Sequence, residues 1–260
     1  MAFETSEAGD MSPTPRHFCP CCGYSTLEAP AGGSLQICSV CCWQDVEFGD
    51  EWMSETTTVE LQQAQRNFEA QSACDPVWVG IARAPQPGEE RAPDWLPIAD
   101  RVKRQRTAVL QAIDSAFGHL RIGRGMRIYD AEMADNYGME TDLTEKVKHL
   151  SYQRYDEVPD DVIDQFSWVL SFFDAPGLRF HLAAYMAWGV RNEEQSHDET
   201  VYALNPGEGD LREWSIERLS IFDRAQADAV VLFLELMVRY EPKAGREALG
   251  YWRERVRSVR

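Results

Sequence analysis

HFCPCCGYSTLEAPAGGSLQICSVCCW, residues 17–43, holds six of the seven cysteines in a chain of 260 residues. Cys19 and Cys22 are separated by two residues, as are Cys38 and Cys41, and fifteen residues lie between the pairs. C-x2-C-x15-C-x2-C is the spacing of a four-cysteine zinc site. A tight turn lets two thiolates three positions apart point at one ion. CPCCG suits that turn, because Pro20 fixes φ and Gly23 accepts the positive φ that follows. Two such knuckles joined by a short hairpin close a tetrahedron. AGGS at 31–34 supplies turn chemistry between the strand candidates TL and LQI. The expected cofactor is one structural Zn(2+) per chain, on Cys19, Cys22, Cys38 and Cys41.

Other readings of the cysteines fit less well. A disulfide framework needs an oxidising compartment and leaves an odd cysteine. A thioredoxin-like pair needs a single C-x-x-C beside a βαβ pattern. Cys21, Cys42 and His17 are further donors close by, and register symmetry favours the plain C-x2-C pairs. Cys74 stands apart and reads as a half-buried apolar filler.

The charge balance narrows the function. The net charge is −17, and residues 1–94 contain no lysine and four arginines against fifteen acidic residues, a local −11. A zinc module that reads nucleic acid needs a basic face, so direct nucleic-acid contact is not expected. The N-terminus lacks an apolar run after a basic start, and AVVLFLELM at 229–237 is too short to span a bilayer. A cytoplasmic protein without a membrane segment is the expectation.

Along the chain, residues 1–16 read as a disordered tail and 17–75 as the ribbon plus a helix over 56–73, with Leu61, Ala64 and Phe68 on one face. Residues 76–97 contain five prolines and read as an exposed linker. Residues 98–260 read as a helical domain. DRVKRQRTAVLQAIDSAFG places Val102, Val109, Ile113 and Phe117 on one stripe, with Gly118 as a stop. PDDVIDQFSWVLSFF (159–173) spaces Val162, Phe166, Val169, Leu170 and Phe173 for a buried face. DAPGLRFHLAAYMAWGV is a further helix, ending before Gly189, and residues 220–240 and 243–260 give two more. MRIYDA and TVYALN read as short strands. The fold class is mainly α with a small N-terminal zinc ribbon of two knuckles and a β-hairpin, in two domains.

With these residues in view, CPCCGYSTLE followed by ICSVCCWQD resembles the bacterial cysteine-rich CPCC domain family, over about residues 17–73. The resemblance implies a zinc ribbon and no settled biochemistry. Ser39 stands where that family usually has proline, and Cys42 where an aromatic is usual. VPDDVIDQFSWVLSFFDAPGLRFHLAAYM and DRAQADAVVLFLELM are similar to a bacterial helical domain of unknown function, which brings no catalytic residues.

No H-E-x-x-H, G-x-S-x-G or Walker-type loop occurs. Glu194-x-x-His197 lacks the second copy that a carboxylate-bridged metal site in a bundle needs. Arg121, Arg124 and Arg127 in RIGRGMR read as a flexible turn, and His181 as a core histidine. A four-thiolate zinc has no open position. The expectation is therefore a non-enzymatic acidic protein that binds a protein partner, most simply a bacterial immunity protein neutralising a basic toxin or effector domain. Clustered carboxylates speed association with a cationic cleft. The expected surface is Asp45, Glu47, Asp50, Glu51 and Glu55, interleaved with Phe48 and Trp52, since aromatics supply interface anchors. Trp43 is expected to cover the knuckles. The alternatives are an enzyme or small-molecule-binding protein with its site in the helical domain, and a zinc-ribbon adaptor docking on a regulatory partner.

Overall fold

The computed structural model describes residues 16–46, 60–192 and 198–258. The chain divides into two compact units, Met1–Val102 and Lys103–Arg260. Among the described residues no helix is long and apolar enough to cross a membrane.

In the first unit, β1 (His17–Phe18) pairs antiparallel with β2 (Ser25–Leu27), with His17 opposite Leu27 and Phe18 opposite Ser25. This short ribbon is closed by the first cysteine knuckle. The expected partner of β2, LQI at 35–37, adds only an isolated bridge from Ile37 to Gln44. The reason lies in the loop between them. Its backbone N–H groups at 32–34 are taken by the Asp45 carboxylate, which leaves no tight turn to align a ladder.

α1 (Leu61–Gln71) buries Leu61, Ala64 and Gln65 and ends where Ser72 turns left-handed at φ 62° and donates to the Phe68 carbonyl. Phe68 meets Tyr24 edge-on, 6.4 Å between ring centres. Residues 76–97 depart most from expectation. They are largely exposed, as expected, with Glu89 the buried exception, but they are a belt hydrogen-bonded to the ribbon and not a free linker. The Arg83 amide donates to the Val40 carbonyl, Ser25 to Glu90, and Ala92 to Gly23. Prolines leave few backbone donors; here those of Arg83 and Ala92 reach the knuckles, while most of the others pair within the belt. The buried Gln65 ties the belt's end down: its amide donates to the Pro20 carbonyl at 2.9 Å and its oxygen accepts from the Ile98 amide at 2.8 Å.

α2 (Ile98–Phe117) begins in the first unit and ends in the second. Val102, Val109, Ile113 and Phe117 are all buried, and Gly118 follows the last helical residue, as the apolar spacing requires. The second unit continues with α3 (Ile128–Asp135), α4 (Asp142–Val147), α5 (Asp160–Gln165), α6 (Ala175–Arg191), α7 (Asp198–Ala203), α8 (Arg212–Leu219), α9 (Arg224–Met237) and α10 (Pro242–Ser258).

Its centre is α6. Every residue from Phe180 to Val190 is buried, which is what a helix apolar on all sides demands. Asp174 caps its start, the carboxylate accepting from the Gly177 amide at 2.8 Å and from the Met126 amide at 3.0 Å. Gly189 lies inside α6 and does not end it, because burial on all faces carries the helix on to Arg191. His181 is fully buried, stacked on Phe173 at 4.2 Å. Its Nδ1 lies 2.8 Å from the Gly177 carbonyl, which can only accept, so Nδ1 carries the proton and Nε2 accepts from the Tyr152 hydroxyl at 2.6 Å. Burial pushes its pKa down to about 3.

Three other expectations give way. The helix over 159–173 is broken at Phe166: α5 stops at Gln165 and a 3-10 turn covers Ser167–Ser171. The Phe166 carbonyl accepts from the buried Tyr185 hydroxyl at 2.7 Å, so it is diverted from the helical ladder, and Ile163 rather than Val162 is the buried residue of α5. MRIYDA and TVYALN are helical, not strands. Asp130 accepts from the Arg127 amide and starts α3. In TVYALN, Thr200, Val201, Ala203 and Leu204 are buried while Tyr202 is exposed, a helical period in too short a run to be recognised.

Candidate metal centre

Each knuckle is a turn of the same construction. In the first, the Gly23 amide donates to the Cys19 carbonyl at 2.8 Å and the Cys19 amide to the Tyr24 carbonyl at 2.8 Å. In the second, the Cys42 amide donates to the Cys38 carbonyl at 2.9 Å and the Cys38 amide to the Trp43 carbonyl at 2.8 Å. The residue after the second ligand must turn left-handed in both, with φ 78° at Gly23 and 65° at Cys42. Cys42 is therefore the register equivalent of Gly23. It occupies a backbone position that disfavours side chains, and it is set apart from the ligand cluster.

The two turns bring the Sγ atoms of Cys19, Cys22, Cys38 and Cys41 within 4.8 Å of one another, all buried. Cys19 faces Cys41 at 3.7 Å and Cys22 faces Cys38 at 3.6 Å. A disulfide requires about 2.05 Å, so these are free thiols. A tetrahedral ion with metal–sulfur bonds of about 2.3 Å has sulfur–sulfur edges of about 3.8 Å. These two edges fit that figure, and the four sulfurs are a donor set that can hold a metal ion such as zinc.

The electrostatics describe the same preference. Burial, and the neighbouring thiols, push Cys19 and Cys41 well above the ordinary thiol range. Hydrogen bonds from Cys19, Cys22 and Cys41, together with Thr26, push Cys38 down. The Thr26 hydroxyl donates to Cys38 Sγ at 3.1 Å. Four thiolates in one buried site repel one another and need a cation among them. Cys74 is fully buried, with burial pushing its thiol up; it fills the core and does not reach the cluster. Cys21 is buried as well.

The belt covers both knuckles. On the first, Arg91 Nε donates to the Cys22 carbonyl at 2.8 Å and its guanidinium lies 4.1 Å over the Trp95 ring. A Cβ built on Gly23 would come within 2.5 Å of that indole, so glycine there is required for close approach as well as for its φ. On the second, Glu89, its side chain 2% exposed, accepts from Arg83 through both oxygens at 2.6 and 2.7 Å. Arg83 also donates to Ser39 Oγ at 2.7 Å, inside the knuckle. Arg83 holds the Glu89 carboxyl down to about 2. Sequence reading took all four belt residues for linker. The alternation of charge and tryptophan in ERAPDW was the available signal, but nothing local says that it folds back. Thr26 lay in the GY-x-TL run, where its role as a donor to sulfur could not be read.

The expected partner surface is only partly within view. Glu47, Phe48, Asp50, Glu51, Trp52 and Glu55 lie outside the described residues. Asp45 does not belong to an exposed surface. It is 2% exposed, and its carboxylate accepts from the amides of Gly32, Gly33 and Ser34 and from the Ser34 hydroxyl at 2.7 Å. Those bonds clamp the loop between the knuckles. Trp43 is 2% exposed and packs within the ribbon. Glu194 and His197 lie outside the described residues. Arg121 and Arg127 donate to backbone carbonyls of Gly118, Leu120 and Tyr152.

A family model described as a family of unknown function, DUF6714, matches residues 105–256, and one described as cysteine-rich CPCC matches residues 17–89. The second match reaches past the helix to include Arg83 and Glu89. No curated protein and no solved structure matches the chain.

Proposed function

We propose a function for this chain, which belongs to the DUF6714 family of unknown function and carries a cysteine-rich CPCC module ahead of it. It is a non-enzymatic binding protein, scaffolded at its front by one structural zinc, that neutralises a basic toxin or effector domain in the manner of an immunity protein. The observation that carries the non-catalytic part is the four buried cysteines around one point. An ion held by four thiolates has no position left for water or a carbonyl, so it neither activates a nucleophile nor acts as a Lewis acid.

Charge supports the binding part. The −11 concentrated in residues 1–94 steers association with a cationic cleft and repels nucleic acid. With Asp45 consumed inside the loop, the acidic and aromatic stretch Glu47, Phe48, Asp50, Glu51, Trp52 and Glu55 is the proposed contact.

The test is to sequence the neighbouring genes and co-express the chain with any toxin or effector domain encoded there. Rescue of growth and a salt-sensitive complex are expected, with association slowed when Asp50 and Glu51 become lysine. Absence of both rescue and complex overturns the immunity reading. Zinc content is measured separately and is unaffected by that result.

A further inference from the structure

The second unit contains a charged group that its own fold leaves incompletely paired. Arg218, in the last turn of α8, is 7% exposed. Its Nη1 donates to the carbonyls of Ser171 at 2.9 Å and Phe173 at 3.1 Å. Its Nε is buried without a partner. Among the described residues Arg218 makes no ion pair, and burial lowers its pKa to about 10. Burying an unpaired guanidinium is costly, and such cost persists where it serves a ligand.

Arg218 also lines a cavity of about 890 Å³. Phe172, Tyr202, Pro206, Leu211 and Trp214 form much of its wall. Trp214 lies over the guanidinium at 4.0 Å. Trp214, Tyr202 and Leu211 are 46%, 65% and 70% exposed, far more than such side chains keep in a closed core. An apolar chamber of this size lined by a few polar groups, among them one buried cation, is the ordinary form of a small-molecule site. Nε is enclosed, so Nη2, which neither carbonyl takes, is the charge-assisted donor left for a carboxylate. Glu208 and Asp210 also line the cavity and disfavour a doubly charged phosphate.

We infer that the cavity between α7 and α8 binds a small monocarboxylate with an apolar body, its carboxylate on Arg218 and its body against Trp214, Tyr202 and Leu211. This goes beyond the proposed binding of a toxin, and neither depends on the other.

Calorimetric titration of the full-length, metal-loaded protein tests it with two acids of different body, 3-phenylpropionate and decanoate, each against its neutral alcohol. Saturable binding of one acid per chain is expected, with the alcohol weaker by about tenfold or more, the loss of one charge-assisted contact. Arg218→Met removes the preference for acid over alcohol. Because that change also strips donors from two carbonyls, Leu211→Glu provides a second variant: it places a carboxylate on the exposed wall, lowers acid affinity by about tenfold and leaves the melting temperature unchanged or raised. Absence of saturable binding by both acids, equal binding of acids and alcohols, or unchanged affinity in Leu211→Glu overturns the inference.

Discussion

The two units fold on different currencies. In the first, the buried apolar set is dominated by cysteines, Cys19, Cys21, Cys22, Cys38, Cys41, Cys42 and Cys74, with a few aliphatics such as Leu27, Val40 and Leu61. In the second, Phe166, Phe173, Leu182, Tyr185, Phe222, Phe233 and Trp252 fill an ordinary core without a single cysteine. A segment that buries so little aliphatic surface cannot meet the entropy of ordering its chain. It needs a cross-link, and four sulfurs placed to hold one ion can supply it. The difference teaches where each unit is vulnerable: the first to losing one ligand, the second to losing packing volume.

The sharpest way to break that contrast is Cys38→Ser. Closed zinc sites contribute about 10–16 kcal/mol to forming small modules, so the variant loses the metal and residues 16–97 unfold. The belt goes with the knuckles, because its hydrogen bonds end on them. The helical unit keeps its fold, read as retained helical circular dichroism and a separate melting transition. Loss of both units together contradicts two independent currencies.

Phe233→Ala is the converse. Phe233 is fully buried in α9, and truncation costs about 3–5 kcal/mol in the helical unit. Metal content is expected to stay at one equivalent, checked by elemental analysis.

A smaller effect distinguishes the two knuckles. Gly23→Ala adds a Cβ within 2.5 Å of Trp95 at φ 78°, and overpacking plus backbone strain costs roughly 2–3 kcal/mol. Cys42→Gly changes stability by no more than about 1 kcal/mol, because relief of a positive φ offsets the lost side chain. It keeps full metal binding, and loss of metal in Cys42→Gly makes Cys42 a ligand and breaks the register equivalence.

The helical unit has its own pH signature. His181 stays neutral in the folded chain down to about pH 3, whereas an exposed histidine ordinarily titrates near 6.5. Between these values the unfolded chain binds the extra proton. Stability that is complete above pH 6.5 therefore falls on acidification, by up to about 1.4 kcal/mol per pH unit. Denaturant unfolding of the helical transition at pH 7, 6 and 5 measures that slope, and His181→Gln flattens it. An identical slope in the variant contradicts the assignment.

How much of this was legible in the residues depended on whether the signal was local. The ligand set was read from spacing alone, since a C-x2-C turn is specified by its own five residues. The buried stripe of α2 followed from local period in the same way. What failed depends on partners far away in sequence. Asp45 is acidic and lies beside a tryptophan, a plausible surface residue until the amides of Gly32 to Ser34 are found to close on it. Arg91 and Trp95 lie in a proline-rich run whose composition says free linker, and only the carbonyls of Cys22 and Pro20, about 70 residues earlier, say otherwise. Phe166 breaks a helix that its own sequence supports, because Tyr185 takes its carbonyl.

Zinc-edge X-ray absorption on the purified full-length protein tests the central claim most directly. One equivalent of zinc with four sulfur neighbours at about 2.3 Å is predicted. A nitrogen or oxygen neighbour at about 2.0 Å, or a chain that folds its first unit with no metal at all, contradicts it.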